Sequence, residues 1–178
     1  MIKHLRTLWE EVKLRCRVLW AALLSFLFGN EITPVGRLYV THLRADGSRN
    51  DLGLVSTKMV TDAGVAFLVD ALQGTVEPEI LRFHGSGTGT TAESAAHTAL
   101  VTEVESRVSG TLTEGASANI FRTVATCPYT ATRAITEHAI FSASSAGTML
   151  DRSLFSAINV INGDSIQFTY ELTLPSGS

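Results

Sequence analysis

The stretch Asn162-Gly163-Asp164-Ser165-Ile166-Gln167-Phe168-Thr169-Tyr170-Glu171-Leu172-Thr173-Leu174 decides the fold class of this chain. Ile166, Phe168, Tyr170, Leu172 and Leu174 alternate strictly with Gln167, Thr169, Glu171 and Thr173, and a turn signal stands immediately before them. A period of two sends the two sets to opposite faces of a pleated strand, so one face is apolar and the other polar. Working back toward the N-terminus, short strands are predicted near 147–156, 133–142, 117–126, 101–112 and 79–84, separated by polar turns.

Residues 37–44 and 51–60 read as a hairpin around Ala45-Asp46-Gly47-Ser48. After it, Thr61-Asp62 offers an N-cap, Val65, Leu68, Val69 and Leu72 share one helical face, and Gly74 closes the helix. The expected fold is mainly β: an antiparallel β-sandwich with an N-terminal helix and one further short helix. Residues 1–30 are expected to form the N-terminal amphipathic helix, 31–36 a linker, and 37–178 a β-rich domain.

Apolar residues recur at helical spacing from Ile2 to Leu27, and 18–28 is an apolar run broken only by Ser25. A membrane span requires about 20 apolar residues, so this run is too short. A signal peptide would fit the run but not the long basic flank, and no small-x-small cleavage site follows. The segment is therefore expected to pack on its own domain or on a neighbouring subunit. Trp9, Trp20, Phe26 and Phe28 are its candidate contact residues, and membrane anchoring through 2–28 is the alternative.

Charge supports an assembly role. Only 17% of residues are charged, where a soluble domain is nearer 25%, and interfaces disfavour charges because desolvating them is costly. Residues 1–30 carry five Lys/Arg against two Glu, while the other 148 carry nine against fifteen. An acidic body argues against general nucleic-acid binding. Two cysteines, Cys16 and Cys127, do not make a disulfide scaffold.

Gly85-Ser86-Gly87-Thr88-Gly89-Thr90-Thr91 resembles a phosphate-cradling loop, with a short helix expected after it over 92–99. It lacks the Lys of a Walker loop and the third glycine of a dinucleotide fingerprint. The expected role is a flexible or tightly turning connection, with His84, Gly85, Gly87 and Gly89 as candidate contact residues. His84 and His97 flank this loop and could meet, but a surface or interface role is favoured over a metal site. Glu103 and Glu105 are read as solvent-facing, and Tyr129 as the one loop aromatic suited to a binding tip. Arg122, Arg133 and Arg152, with Glu137, are candidates for cross-strand or intersubunit ion pairs. No catalytic residues, metal ligands or cofactor are expected.

Several blocks in order carry a family resemblance. They are Val60-Thr61-Asp62-Ala63-Gly64-Val65, Phe83-His84-Gly85-Ser86-Gly87-Thr88-Gly89-Thr90-Thr91, Thr98-Ala99-Leu100-Val101-Thr102-Glu103 and Thr113-Glu114-Gly115. Ile120-Phe121-Arg122-Thr123-Val124 and Ala134-Ile135-Thr136-Glu137-His138-Ala139-Ile140-Phe141 follow. Gly147-Thr148-Met149-Leu150-Asp151-Arg152, Phe155-Ser156-Ala157-Ile158-Asn159 and Gly163-Asp164-Ser165 close the series. From Val60 onward the chain resembles a family of tailed-bacteriophage virion proteins. The resemblance implies a non-enzymatic particle component, expected on the head as a capsid-decorating or cement protein. Its implied partners are the major capsid protein and further copies of itself. A tail or neck fitting is the alternative, and the N-terminal segment departs from the family pattern.

Overall fold

The computed structural model describes residues 34–175, at positions 58 and 59 by backbone only. The N-terminal helix expected over 2–28, with Trp9, Trp20, Phe26, Phe28 and Cys16, lies outside the described residues. Residues 34–174 form one compact unit.

Among the described residues nine strands are arranged in chain order as β1 (Val35–Leu43), β2 (Arg49–Met59), β3 (Phe83–Gly87), β4 (Glu103–Ser109), β5 (Thr111–Glu114), β6 (Ile120–Pro128), β7 (Arg133–Phe141), β8 (Met149–Val160) and β9 (Ser165–Thr173). One helix, α1 (Asp62–Leu72), follows β2. Every pairing is antiparallel. The five-stranded sheet runs β2-β1-β9-β6-β5 and the four-stranded sheet β4-β3-β7-β8. The fold is the expected mainly-β sandwich.

The alternating stretch is β9, at the centre of the larger sheet between β1 and β6. Its Ile166, Phe168, Tyr170 and Leu172 are buried together with Leu38 and Val40 of β1. Ile135, Ile140, Leu150, Ile158 and Val160 of β7 and β8 belong to the same core. A smaller cluster of Leu100, Ala139, Phe141 and Met149 lies apart from it. Each fully buried Leu, Ile or Phe is worth about 1.5–3 kcal/mol, so β9 anchors the larger sheet.

Four expectations are corrected. First, residues 101–112 are not one strand. The chain leaves the smaller sheet at Gly110 and enters the larger one as β5, and a Cβ at Gly110 would stand 2.7 Å from His84 Nε2. Only glycine permits that crossing without displacing the imidazole.

Second, the strand expected at 79–84 starts later, because Pro78–Ile80 forms a 3-10 turn. Third, 92–99 is not helical. Its backbone is drawn out by separate anchors, with the Asp62 amide donating to Ala95 O and the Arg152 guanidinium to Thr91 O.

Fourth, α1 is rotated from the face expected. Gly64 and Phe67 are buried and Leu68 packs against the core as expected, while Val65, Val69 and Leu72 are 44%, 46% and 90% exposed. The cause is Gly64, where a Cβ would stand 2.7 Å from Val60 Cγ1 and 2.9 Å from Leu150 Cα. Its bare backbone lets the helix approach β8 closely, and that contact sets the rotation.

Candidate functional site

Neighbouring residues of β7 point to opposite faces of the smaller sheet. Glu137 and His138, adjacent in sequence and both fully buried, therefore organise two separate polar clusters.

Glu137 is the hub of the first. Its carboxylate accepts backbone N–H bonds from Gly89 (2.9 Å), Val101 (3.1 Å) and Thr102 (2.8 Å), and Arg152 Nε donates at 2.8 Å. Arg152 is itself only 2% exposed and also donates to Thr91 O at 3.0 Å. The Thr136 hydroxyl donates to Gly89 O, and the Leu154 amide to the Glu93 carboxylate. Together these bonds staple the loop 88–102 to the sheet at both ends and in the middle. Burial pushes the Glu137 carboxyl up, but the amides of Thr102 and Val101, Arg152 and the Gly89 amide outweigh it and hold its pKa below the usual value.

The glycine-rich motif thus has a physical explanation. Its Gly89 amide joins those of Val101 and Thr102 in cradling an anion, which is the chain's own Glu137. A Cβ at Gly87 or Gly89 would stand 2.5 Å from Glu137 Oε1. Gly85 and Gly87 are not a loose connection but part of β3, an interior strand of its sheet. His84, Gly85, Gly87, Gly89 and Arg152 are buried, so in this fold they cannot serve as the contact surface expected of them.

The second cluster joins the two sheets through the core. His84 Nδ1 lies 3.0 Å from His138 Nε2, and His84 Nε2 lies 3.1 Å from Thr123 Oγ1 on β6. His138 Nδ1 has no hydrogen-bond partner among the described residues, which bears on the tautomers. If His138 Nε2–H donates to His84, and His84 Nε2–H to Thr123, only a bare lone pair is left over. The opposite order would strand a buried N–H, which is rarer. Burial drives both pKa values down, His84 to about 3 and His138 well below its ordinary value, with His84 contributing to the latter. His138 also packs on the Phe168 ring at 4.3 Å. Ser86 and Tyr129 are hydrogen-bonded at 2.9 Å beside this pair. Tyr129 is 2% exposed and is therefore no binding-tip aromatic.

The remaining candidates separate. His97 approaches Arg152 at 3.4 Å and does not pair with His84. Arg122 forms the expected cross-strand ion pair, with Glu171, and Arg133 stands exposed at the start of β7. Glu103 pairs with Arg107, and Glu105 accepts from Thr130, so the two carboxylates have different partners. Burial raises the Cys127 thiol to about 12, which leaves it protonated and a poor nucleophile.

Among the described residues, no group of three or more His, Cys, Asp or Glu side chains is arranged to hold a metal ion. No described helix is long and apolar enough to cross a membrane. A cleft of about 260 Å³ lies between the end of β2, the start of α1 and the 93–95 turn, with Thr57, Thr61, Glu93 and Arg152 in its wall. Of these, Glu93 is bonded to the Leu154 amide, Arg152 to Glu137 and Thr91, and Thr61 to Met149 O.

Thr123, Ser86 and Asp164 stand in the sequence reading only as members of a block, a loop and a turn, with no bonding role expected of them. Asp164 clasps the two turns at one end of the fold, accepting from Ala45 N at 2.8 Å and Ile161 N at 3.1 Å and lying 3.0 Å from His42 Nε2. The Asn-Gly-Asp turn was visible as a turn, but its partner is 122 residues away in sequence.

Comparison with protein-family models, curated proteins and solved structures finds no match to this chain.

Proposed function

We propose that this protein is a non-enzymatic structural component of a tailed-bacteriophage virion, positioned on the head as a decoration or cement protein. The ordered sequence blocks and the low charge support this reading. The observation that carries it is the direction in which the chemistry-bearing residues point. Glu137, Arg152, His84 and His138 are all spent on internal staples, while the outward-facing apolar side chains include the row Val65, Val69 and Leu72 on α1 and Leu52 and Leu54 on β2. Residues arranged in this way hold a shape and offer a surface; they do not converge on a reacting group.

Quantitative mass spectrometry of separated heads and tails tests the proposal. A copy number comparable with that of the major capsid protein is expected on heads. A few copies, or enrichment on tails, would move the protein to a neck or tail fitting, and absence from both would sink the virion reading.

A further inference from the structure

The turn that leads into β9 carries reactive backbone chemistry. Of the asparagines in the chain, only Asn162 is followed by glycine. Asparagine is among the less durable side chains, and its fate depends on the residue after it. The backbone nitrogen of that residue can attack the side-chain carbonyl carbon, and a Cβ there obstructs the approach. Gly163 has no Cβ. Asn162 is exposed, and its side-chain amide makes no hydrogen bond among the described residues. Asn119 is the contrasting case, with its side chain bonded to Ser117 and Leu174 O and Ile120 after it.

The fold restrains the attacking nitrogen without removing it. The Gly163 amide donates to Tyr129 O at 3.0 Å and the Asp164 amide to Ile161 O at 3.1 Å, closing the turn around a left-handed Gly163 (φ +92°). Asn162 and Gly163 are exposed, and such a tip opens locally at far less cost than the whole domain unfolds. Each opening frees the nitrogen.

We infer that Asn162 is a self-modification site, gated by the Gly163–Tyr129 hydrogen bond, and that its conversion to isoaspartate releases the Asp164 clasp. The Gly163 nitrogen bonds to Asn162 Cγ, the Cγ–Nδ2 bond breaks, and the displaced amide leaves as ammonia with the proton from Gly163. Solvent water then opens the cyclic imide. Attack at Cγ gives aspartate in an ordinary backbone. Attack at the Asn162 backbone carbonyl gives isoaspartate, in which the chain continues through Cβ and Cγ and gains a carbon. That extra carbon lies just before Asp164, which accepts from Ala45 N and Ile161 N and stands 3.0 Å from His42 Nε2. Those bonds depend on the length of the turn, so the isoaspartate product cannot keep them all. This inference goes beyond the virion reading, because it concerns the covalent chemistry of the chain itself.

Incubating the full chain in heavy-oxygen water, in warm and mildly alkaline buffer, tests it by peptide mass spectrometry. The peptide holding Asn162 should take up a heavy oxygen and appear as a mixture of aspartate and isoaspartate, while Asn50 and Asn119 stay unchanged. The reaction should run at least about tenfold faster in urea, where no turn has to open first. Asn162→Gln should abolish it at an unchanged melting temperature, since the longer side chain closes a larger ring less readily and the position is exposed. The products carry an added charge and separate by ion exchange. Their isoaspartate-bearing fraction should melt below the unmodified chain, whereas Asn162→Asp, with its ordinary backbone, should not. Equal rates in buffer and urea would overturn the gate. A folded chain left unmodified over many half-lives of the unfolded one would overturn the site. Aspartate without isoaspartate would overturn attack by the Gly163 nitrogen, and an isoaspartate fraction melting with the unmodified chain would overturn the link to the clasp.

Discussion

Two neutral imidazoles 3.0 Å apart in a buried interior resist taking up a further proton, because either charge would be buried without a counter-ion. The unfolded chain titrates both near 6.5, whereas the folded chain holds His84 at about 3 and His138 well below 6.5. A depressed histidine favours the fold above the unfolded value, and that advantage is lost as the pH falls. Below about pH 6.5 the unfolded state binds the protons and stability drops, by about 1.4 kcal/mol per pH unit for each histidine. Glu137 and Asp164, both held below their ordinary 4.5 and 3.8, act only at lower pH, so the window from 6.5 to 4.5 isolates the histidines. Urea unfolding between pH 7.5 and 5 should show this fall, and a flat profile would mean that the pair is not locked neutral. The Glu137 staple makes a different prediction. Glu137→Gln leaves the Arg152 guanidinium buried without its counter-charge and should cost about 3–5 kcal/mol. It should also open the loop 88–102 to proteolysis. The double variant Glu137→Gln with Arg152→Met should recover part of that loss in a double-mutant cycle, because the stranded charge is gone.

Elements are positioned here by where side chains are missing as much as by where they are present. Replacing Gly64 by Ala would gain about 1 kcal/mol of helix propensity, yet the new methyl would press on Val60 and the Leu150 backbone. Overpacking of this kind typically costs about 1–3 kcal/mol, so the steric term should win and Gly64→Ala should lower the urea midpoint. A stabilised variant would show that the helix can rotate away at no cost. The same logic explains which elements were legible in the sequence. β9 was legible because its partners on both sides are flat and in register, so alternation survives along its whole length. The Asp46-Gly47 turn and the Thr61 cap were legible because their chemistry is local, with the Gly64 amide donating to Thr61 Oγ1 at 3.0 Å. The inner face of α1 was not, because its rotation is set by a glycine contact with a distant strand rather than by its apolar residues. The cross-strand ion pair of Glu137 with Arg152 was expected, but the burial of Glu137 and His138 was not, because a register shift between Ile135 and Glu137 reverses the alternation of β7. Ile135 and Ile140 consequently share a core despite their odd spacing, and parity counted along the sequence assigns their neighbours to the wrong face. The anion cradle had a recognisable glycine pattern, but its anion comes from another strand, which spacing within the motif cannot reveal.

At the scale of the whole molecule, the first and last strands of the described fold, far apart in synthesis, are joined in one sheet. β9, the last strand, pairs with β1, the first, over nine residues from Val35–Thr173 to Leu43–Ser165, and with β6 on its other side. Without β9 the larger sheet divides into a β2-β1 hairpin and a β6-β5 pair, with no hydrogen-bonded bridge between them. Ile166, Phe168, Tyr170 and Leu172 would also be withdrawn from the core, a loss of about 6–12 kcal/mol at 1.5–3 kcal/mol for each buried side chain. That is comparable with the entire stability of an ordinary domain, about 5–15 kcal/mol. The smaller sheet does not compensate, because its His84 and Ser86 are satisfied by Thr123 of β6, in the sheet that has come apart, and by Tyr129 just past the end of β6. A chain ending at Gly163 should therefore lack cooperative unfolding and near-ultraviolet circular dichroism, and folding of the complete chain should wait for synthesis of its last strand. With so many contacts between distant parts of the sequence, refolding should take milliseconds to seconds, as for other sandwiches. Stopped-flow refolding of the full chain and a urea titration of the truncated one measure both. A truncated chain that still melted cooperatively would show that the smaller sheet and α1 fold independently, and that β9 docks on a body already formed.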